Sequence, residues 1–98
     1  MLPNQFHANS MSELLNLDQM REISGLEFMQ GILDGRYPSP PIGKTLGYYL
    51  TEVAEGRVVF SGAPSFDAFN PMGTVHGGWY GTLLDSAMAC AVMTKVPK

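Results

Sequence analysis

Apolar residues gather into separate stretches along this 98-residue chain, and their spacing changes from one stretch to the next. In Ser24–Gly35, "SGLEFMQGILDG", Leu26, Met29, Ile32 and Leu33 fall at helical spacing. Ser24 and Glu27 are placed as a capping box and Gly35 as a stop, so the stretch predicts one short amphipathic helix. "RYPSPPIG" follows, where Pro38, Pro40 and Pro41 hold the backbone extended and disfavour helix, which predicts a rigid connector. Two β-rich runs, Thr45–Ala54 and Arg57–Ala63, then flank the turn pair Glu55-Gly56 and predict a hairpin. Residues 1–23 form a polar lead with room for a short helix over Met11–Met20, and residues 24–98 form the folded domain.

The last stretch is different in kind. "FDAFNPMGTVHGG" is a loop rich in Asn, Pro and Gly, and it breaks into "WYGTLLDSAMACAVMTK", which has helix length and no proline until Pro97. Apolar residues occupy nearly every face of this predicted helix, Trp79, Leu83, Leu84, Met88, Cys90 and Val92 among them, so it is expected to be a buried spine. One band departs from that. At about 100° per residue, Gly78, Gly81, Thr82, Asp85 and Ala89 share roughly a third of the circumference, a strip of small and polar residues that invites close approach.

Asp85 is the residue that needs explaining. A buried carboxylate must be paired, hydrogen-bonded or protonated, and no Lys or Arg lies at helical spacing from it. It is either bonded to backbone and hydroxyl groups or turned to a solvent-filled seam, or it performs chemistry. The Gly77-Gly78 pair favours chemistry, because glycines at a helix start leave backbone N–H groups unscreened at the positive end of the helix dipole, as an oxyanion hole requires. His76 alone reads as a hydrogen-bonded loop residue, and Asn70 alone as a turn residue.

Composition narrows the classes. A net charge of -3 and only six basic residues, scattered along the chain, leave no nucleic-acid footprint. The single cysteine, Cys90, excludes an intramolecular disulfide and suits a buried thiol in a reducing compartment, so a cytoplasmic location is expected. The start of the chain has no basic segment leading an apolar one, and no run of about 18 apolar residues occurs, so neither secretion nor membrane insertion is expected. His7 and His76 sit in no ligand-spaced cluster, and "GRYPSPPIG" lacks the Lys-Ser/Thr ending of a phosphate loop, so neither a metal nor another cofactor is expected. So short a chain buries a modest core and would gain from a partner surface.

Taken together, Asn70, then His76-Gly77-Gly78, then Asp85 nine residues after the histidine, resemble the signature of the PaaI-like acyl-CoA thioesterases of the hotdog fold. The resemblance covers about residues 24–98, including "PSPPIGKTLGYYL" and "LLDSAMACAV". It implies an α+β hotdog fold, a long central helix wrapped by antiparallel sheet, and an enzyme that hydrolyses acyl-CoA without cofactor or metal. By that resemblance the Gly77 N–H holds the thioester oxygen and Asp85 activates or orients water. Asn70, His76 and Gly78 support and position the substrate, and the protein is a homodimer or a dimer of dimers.

The spacing agrees with a shared site. Eight residues separate Gly77 from Asp85, a rise of about 12 Å along one helix, whereas donor and base must meet at one carbonyl carbon. Two antiparallel helices related by a two-fold axis can do this. A hotdog domain continues with further strands, while this sequence stops at "KVPK", so the resemblance implies a fold truncated after the central helix and an activity that belongs to the complete domain. The alternative is a catalytically silent acyl-CoA-binding or dimerisation module. A hotdog hydratase would need an Asp and a His about five residues apart, and Asp67 stands nine before His76. The acyl group is left open between aryl-acetyl, short-chain and medium-chain.

Overall fold

The computed structural model describes all residues, Met1–Lys98, and has a mixed α+β architecture. Four helices, α1 (Leu17–Arg21), α2 (Gly25–Asp34), α3 (Pro41–Leu46) and α4 (Gly77–Met93), accompany one two-stranded antiparallel sheet of β1 (Tyr48–Ala54) and β2 (Arg57–Gly62). The hairpin pairs Tyr48 with Gly62 and Ala54 with Arg57, with a bulge at Thr51, whose hydroxyl donates to the Val59 carbonyl at 3.1 Å. Helix α2 begins where the serine places it: the Ser24 hydroxyl accepts the Glu27 N–H at 3.1 Å, and Gly35 ends the helix with φ 87°.

Three expectations are corrected. The proline connector is helical in its second half, because Pro41 stands at the first helical position, where the missing N–H is no loss and the fixed φ suits the helix. Thr45 and Leu46 therefore belong to α3, and β1 starts at Tyr48. The lead carries a single 3₁₀ turn at Met11–Glu13 and then α1, which is started by a capping box between Asn16 and Gln19, rather than one helix over Met11–Met20. Lastly, α4 is no buried spine: Trp79 alone is buried along its 17 residues.

The reason lies in what packs on α4. Met29, Ile32 and Leu50 form the centre of the core, with Phe28, Val53, Phe60 and Cys90 against it, so α2 and the hairpin cover one side of α4 only. On the other side Tyr80, Leu84, Met88 and Val92, each four residues on, form an exposed apolar stripe, 51% to 66% accessible. A contiguous exposed apolar stripe of this kind marks a surface that meets something else.

Both ends of α4 are pinned. Trp79 Nε1 donates to the Leu46 carbonyl at 2.6 Å, and the Thr94 hydroxyl accepts the Gly56 N–H at 2.7 Å while donating to the Ala91 carbonyl. In between, the Tyr48 and Ser86 hydroxyls meet at 2.9 Å and fix the rotation of the helix on β1. Gly25 lies against the Met93 carbonyl with no room for a Cβ, which brings α2 onto the end of α4. The lead also has a structural role: Gln5 Nε2 donates to the carbonyls of Leu33 and Leu50, and Ser39 exchanges backbone hydrogen bonds with Phe6 and Ala8. It straps α2 to β1.

Candidate active site

The loop before α4 is built by Asn70. Its Oδ1 accepts the N–H groups of Met72 (3.0 Å) and Thr74 (3.3 Å), its Nδ2 donates to the Thr74 hydroxyl, and its own N–H donates to the Thr74 carbonyl. Gly73 turns the chain with φ 81°, a conformation that favours glycine. The His76 N–H then returns to the Ala68 carbonyl at 2.8 Å. Asn70 thus sets the position of the histidine and the glycines that follow.

His76 is the N-cap of α4. Its Nδ1 accepts the Gly78 N–H at 2.8 Å, which leaves Nε2–H as the donor of the neutral ring. One glycine N–H is therefore consumed and the other is free: Gly77 has no backbone partner, and a Cβ there would meet nothing within 4 Å. A free N–H at the positive end of a 17-residue helix is a donor for a developing negative charge. His76, Gly77 and Gly78 are all solvent-exposed.

Asp85 lies two turns further along, beside the exposed apolar stripe and flanked by Gly81, Leu84 and Met88. Within one chain it is exposed, so the cost of burial that its apolar setting suggested does not arise there. It forms no ion pair; Arg21–Asp18, Arg36–Asp34, Arg57–Glu52 and Lys95–Glu55 account for those present. The structure brings Asn70, His76, Gly77 and Gly78 together and leaves Asp85 about 12 Å up the same helix. No single chain presents the donor and the carboxylate to one atom.

Two side chains near Asp85 were not singled out as functional from sequence. Ser86 and Tyr48 are joined by their hydroxyls, and only the tertiary packing of β1 on α4 could disclose that pair. Cys90 is the third nucleophile-bearing position in reach. Burial pushes its thiol up from the ordinary value, and the charge of Asp85 adds to the effect, so the setting disfavours the thiolate. No three His, Cys, Asp or Glu side chains converge anywhere, and no helix is long and apolar enough to cross a membrane.

Residues 72–98 match the family model of the thioesterase superfamily. The matched segment holds His76, Gly77, Gly78 and Asp85 and excludes Asn70. Among curated proteins and among solved structures, nothing matches the chain. The resemblance thus falls on the cap, the free amide and the carboxylate, and the chemistry to which it points is thioester hydrolysis.

Proposed function

We propose that the protein hydrolyses acyl-CoA thioesters in a dimeric hotdog arrangement, with each site taking Gly77 from one protomer and Asp85 from its partner. The observation that carries this reading is the division of labour on α4, a free Gly77 amide at its start and an unpaired Asp85 in its middle beside an exposed apolar stripe. An antiparallel second α4 laid along the stripe sets the start of each helix against the middle of the other. It also covers Tyr80, Leu84, Met88 and Val92.

In that site the thioester oxygen accepts the Gly77 N–H, with the His76 Nε2–H exposed beside it. Asp85 takes a proton from a water as its oxygen bonds to the carbonyl carbon. The negative charge moves onto the thioester oxygen, where the amide and the helix dipole stabilise it. As the carbonyl re-forms, the carbon–sulfur bond breaks and the CoA sulfur takes the proton that Asp85 received from water, which gives a carboxylic acid and CoA and restores the carboxylate. No metal or other cofactor enters the scheme. A half-buried thiol fits a reducing compartment, and we place the enzyme in the cytoplasm.

The test is release of CoA thiol from octanoyl-CoA and phenylacetyl-CoA, read with a thiol-reactive dye after the protein's own Cys90 has been accounted for. Turnover above the uncatalysed rate, abolished in the Asp85→Asn protein, is expected. A folded dimer that releases no CoA from any acyl length would overturn hydrolysis in favour of a silent acyl-CoA-binding or dimerisation module.

A further inference from the structure

A cavity of about 240 Å³ lies within the chain, walled by Met29 and Ile32 of α2, Leu50 of β1, Phe60 of β2 and Cys90 of α4. None of Asn70, His76, Gly77, Gly78 or Asp85 borders it, and from the segment that matches the thioesterase model only Ser86, Ala89, Cys90 and Met93 do. It is a space apart from the candidate active site. No Asp, Glu, Lys or Arg lines it, and the Tyr48 and Ser86 hydroxyls on its wall satisfy one another. Its open polar groups come from elsewhere in the chain, from His7 of the lead and Ser39 of the proline connector.

These two residues are partners in one parallel β-bridge, which sets their backbones about 5 Å apart, and both side chains line the cavity. Ser39 is 4% exposed, and its hydroxyl has no hydrogen-bond partner in the protein. Leaving a buried hydroxyl open costs stability. His7 Nδ1 lies 3.2 Å from the Pro40 carbonyl, which can only accept, so Nδ1 carries the hydrogen and the neutral ring keeps Nε2 as an acceptor. The ring is held in place on its other side by Gly43, where a Cβ would come within 3.4 Å of Cε1. A hydroxyl that can donate therefore stands beside a nitrogen that can accept.

We propose that this cavity is a second binding site, separate from the thioester site, for a neutral molecule with a compact apolar body and one hydroxyl group, a phenol or a small alcohol. A single ligand hydroxyl meets both protein groups, because it accepts from Ser39 Oγ–H and donates to His7 Nε2. Size sets the body. A cavity of about 150 Å³ admits a benzene ring, and the space here is about one and a half times larger, which suits a phenyl ring with a two-carbon substituent and a hydroxyl. Charge sets the exclusion. A carboxylate would be stripped of water among apolar side chains with no cation on the lining to pair it.

Calorimetric titration of the wild-type protein with 4-ethylphenol, ethylbenzene and 4-ethylbenzoate tests the site without reference to turnover. The phenol is expected to bind about tenfold more tightly than ethylbenzene, and the benzoate more weakly than either. Ser39→Ala should bring the phenol down to the affinity of ethylbenzene, and His7→Phe should do the same in folded protein. Because the Ser39 hydroxyl has no protein partner, Ser39→Ala should not lower the melting temperature of the free protein. Octanoyl-CoA in excess over Asp85→Asn protein should leave the affinity for 4-ethylphenol within about twofold. No binding of the phenol, equal binding of phenol and ethylbenzene, a folded Ser39→Ala protein that keeps the preference, or displacement of the phenol by octanoyl-CoA would each overturn the proposal. Hydrolysis at Gly77 and Asp85 stands or falls separately, on release of CoA thiol.

Discussion

Asp85→Asn is expected to lower kcat by a factor of about 10² to 10⁴ while changing KM little, the range lost when a positioned general base is removed. The amide keeps the shape of the carboxylate and cannot take a proton from water. Stability gives the control. Asp85 is exposed and makes no ion pair within its chain, so the melting temperature of the variant should stay close to that of the wild type. Steady-state kinetics with octanoyl-CoA alongside a thermal melt make the measurement. A variant that keeps most of its turnover removes Asp85 from the reaction.

Gly77→Pro is expected to lower kcat by about 10² to 10³, the effect of deleting one oxyanion donor, with the fold retained. The backbone is suited to the substitution. Gly77 is the first residue of α4 and does not have positive φ, and proline is favoured at that position because its missing N–H has no intrahelical partner. His76 before it has φ −63° and ψ 136°, the extended conformation that a following proline requires. Gly77→Ala separates amide from side chain. It keeps the N–H, and its Cβ meets nothing within 4 Å, so it should keep turnover within about tenfold of wild type. Equal losses in the two variants would show that the space at Gly77, and not its amide, is what matters.

The parts of the fold that sequence disclosed are those decided locally. Ser24, Gly35 and Gly56 mark the ends of α2 and the hairpin turn because caps and positive-φ turns depend on a few adjacent residues. Pro41 is ambiguous in sequence because the same residue that breaks a helix from within begins one from its first position, and only the chain after it decides which applies. The candidate site was legible to the same extent. The order of Asn70, His76, Gly77, Gly78 and Asp85 was visible, and so was the 12 Å problem that helix geometry sets for them.

What sequence could not supply was which amide is free. His76 Nδ1 takes the Gly78 N–H and leaves that of Gly77, a choice made by a side-chain rotamer. Nor could an apolar run tell which of its faces the chain itself covers. Trp79 is buried and bonded to α3 while Leu84, five residues on, is 58% exposed, and the difference comes from where the rest of the chain is placed along α4.

The central claim is that Gly77 and Asp85 of different protomers serve one reaction, and subunit mixing tests it most directly. Asp85→Asn and Gly77→Pro proteins, each nearly inactive, are combined in equal amounts and allowed to exchange subunits, with exchange followed by mass spectrometry. In a mixed dimer both lesions fall in one site and the other is wild type. Random pairing makes half the dimers mixed, so activity should rise from near zero to about a quarter of the wild-type value. Complete exchange between folded, dimeric variants with no return of activity would contradict the shared site.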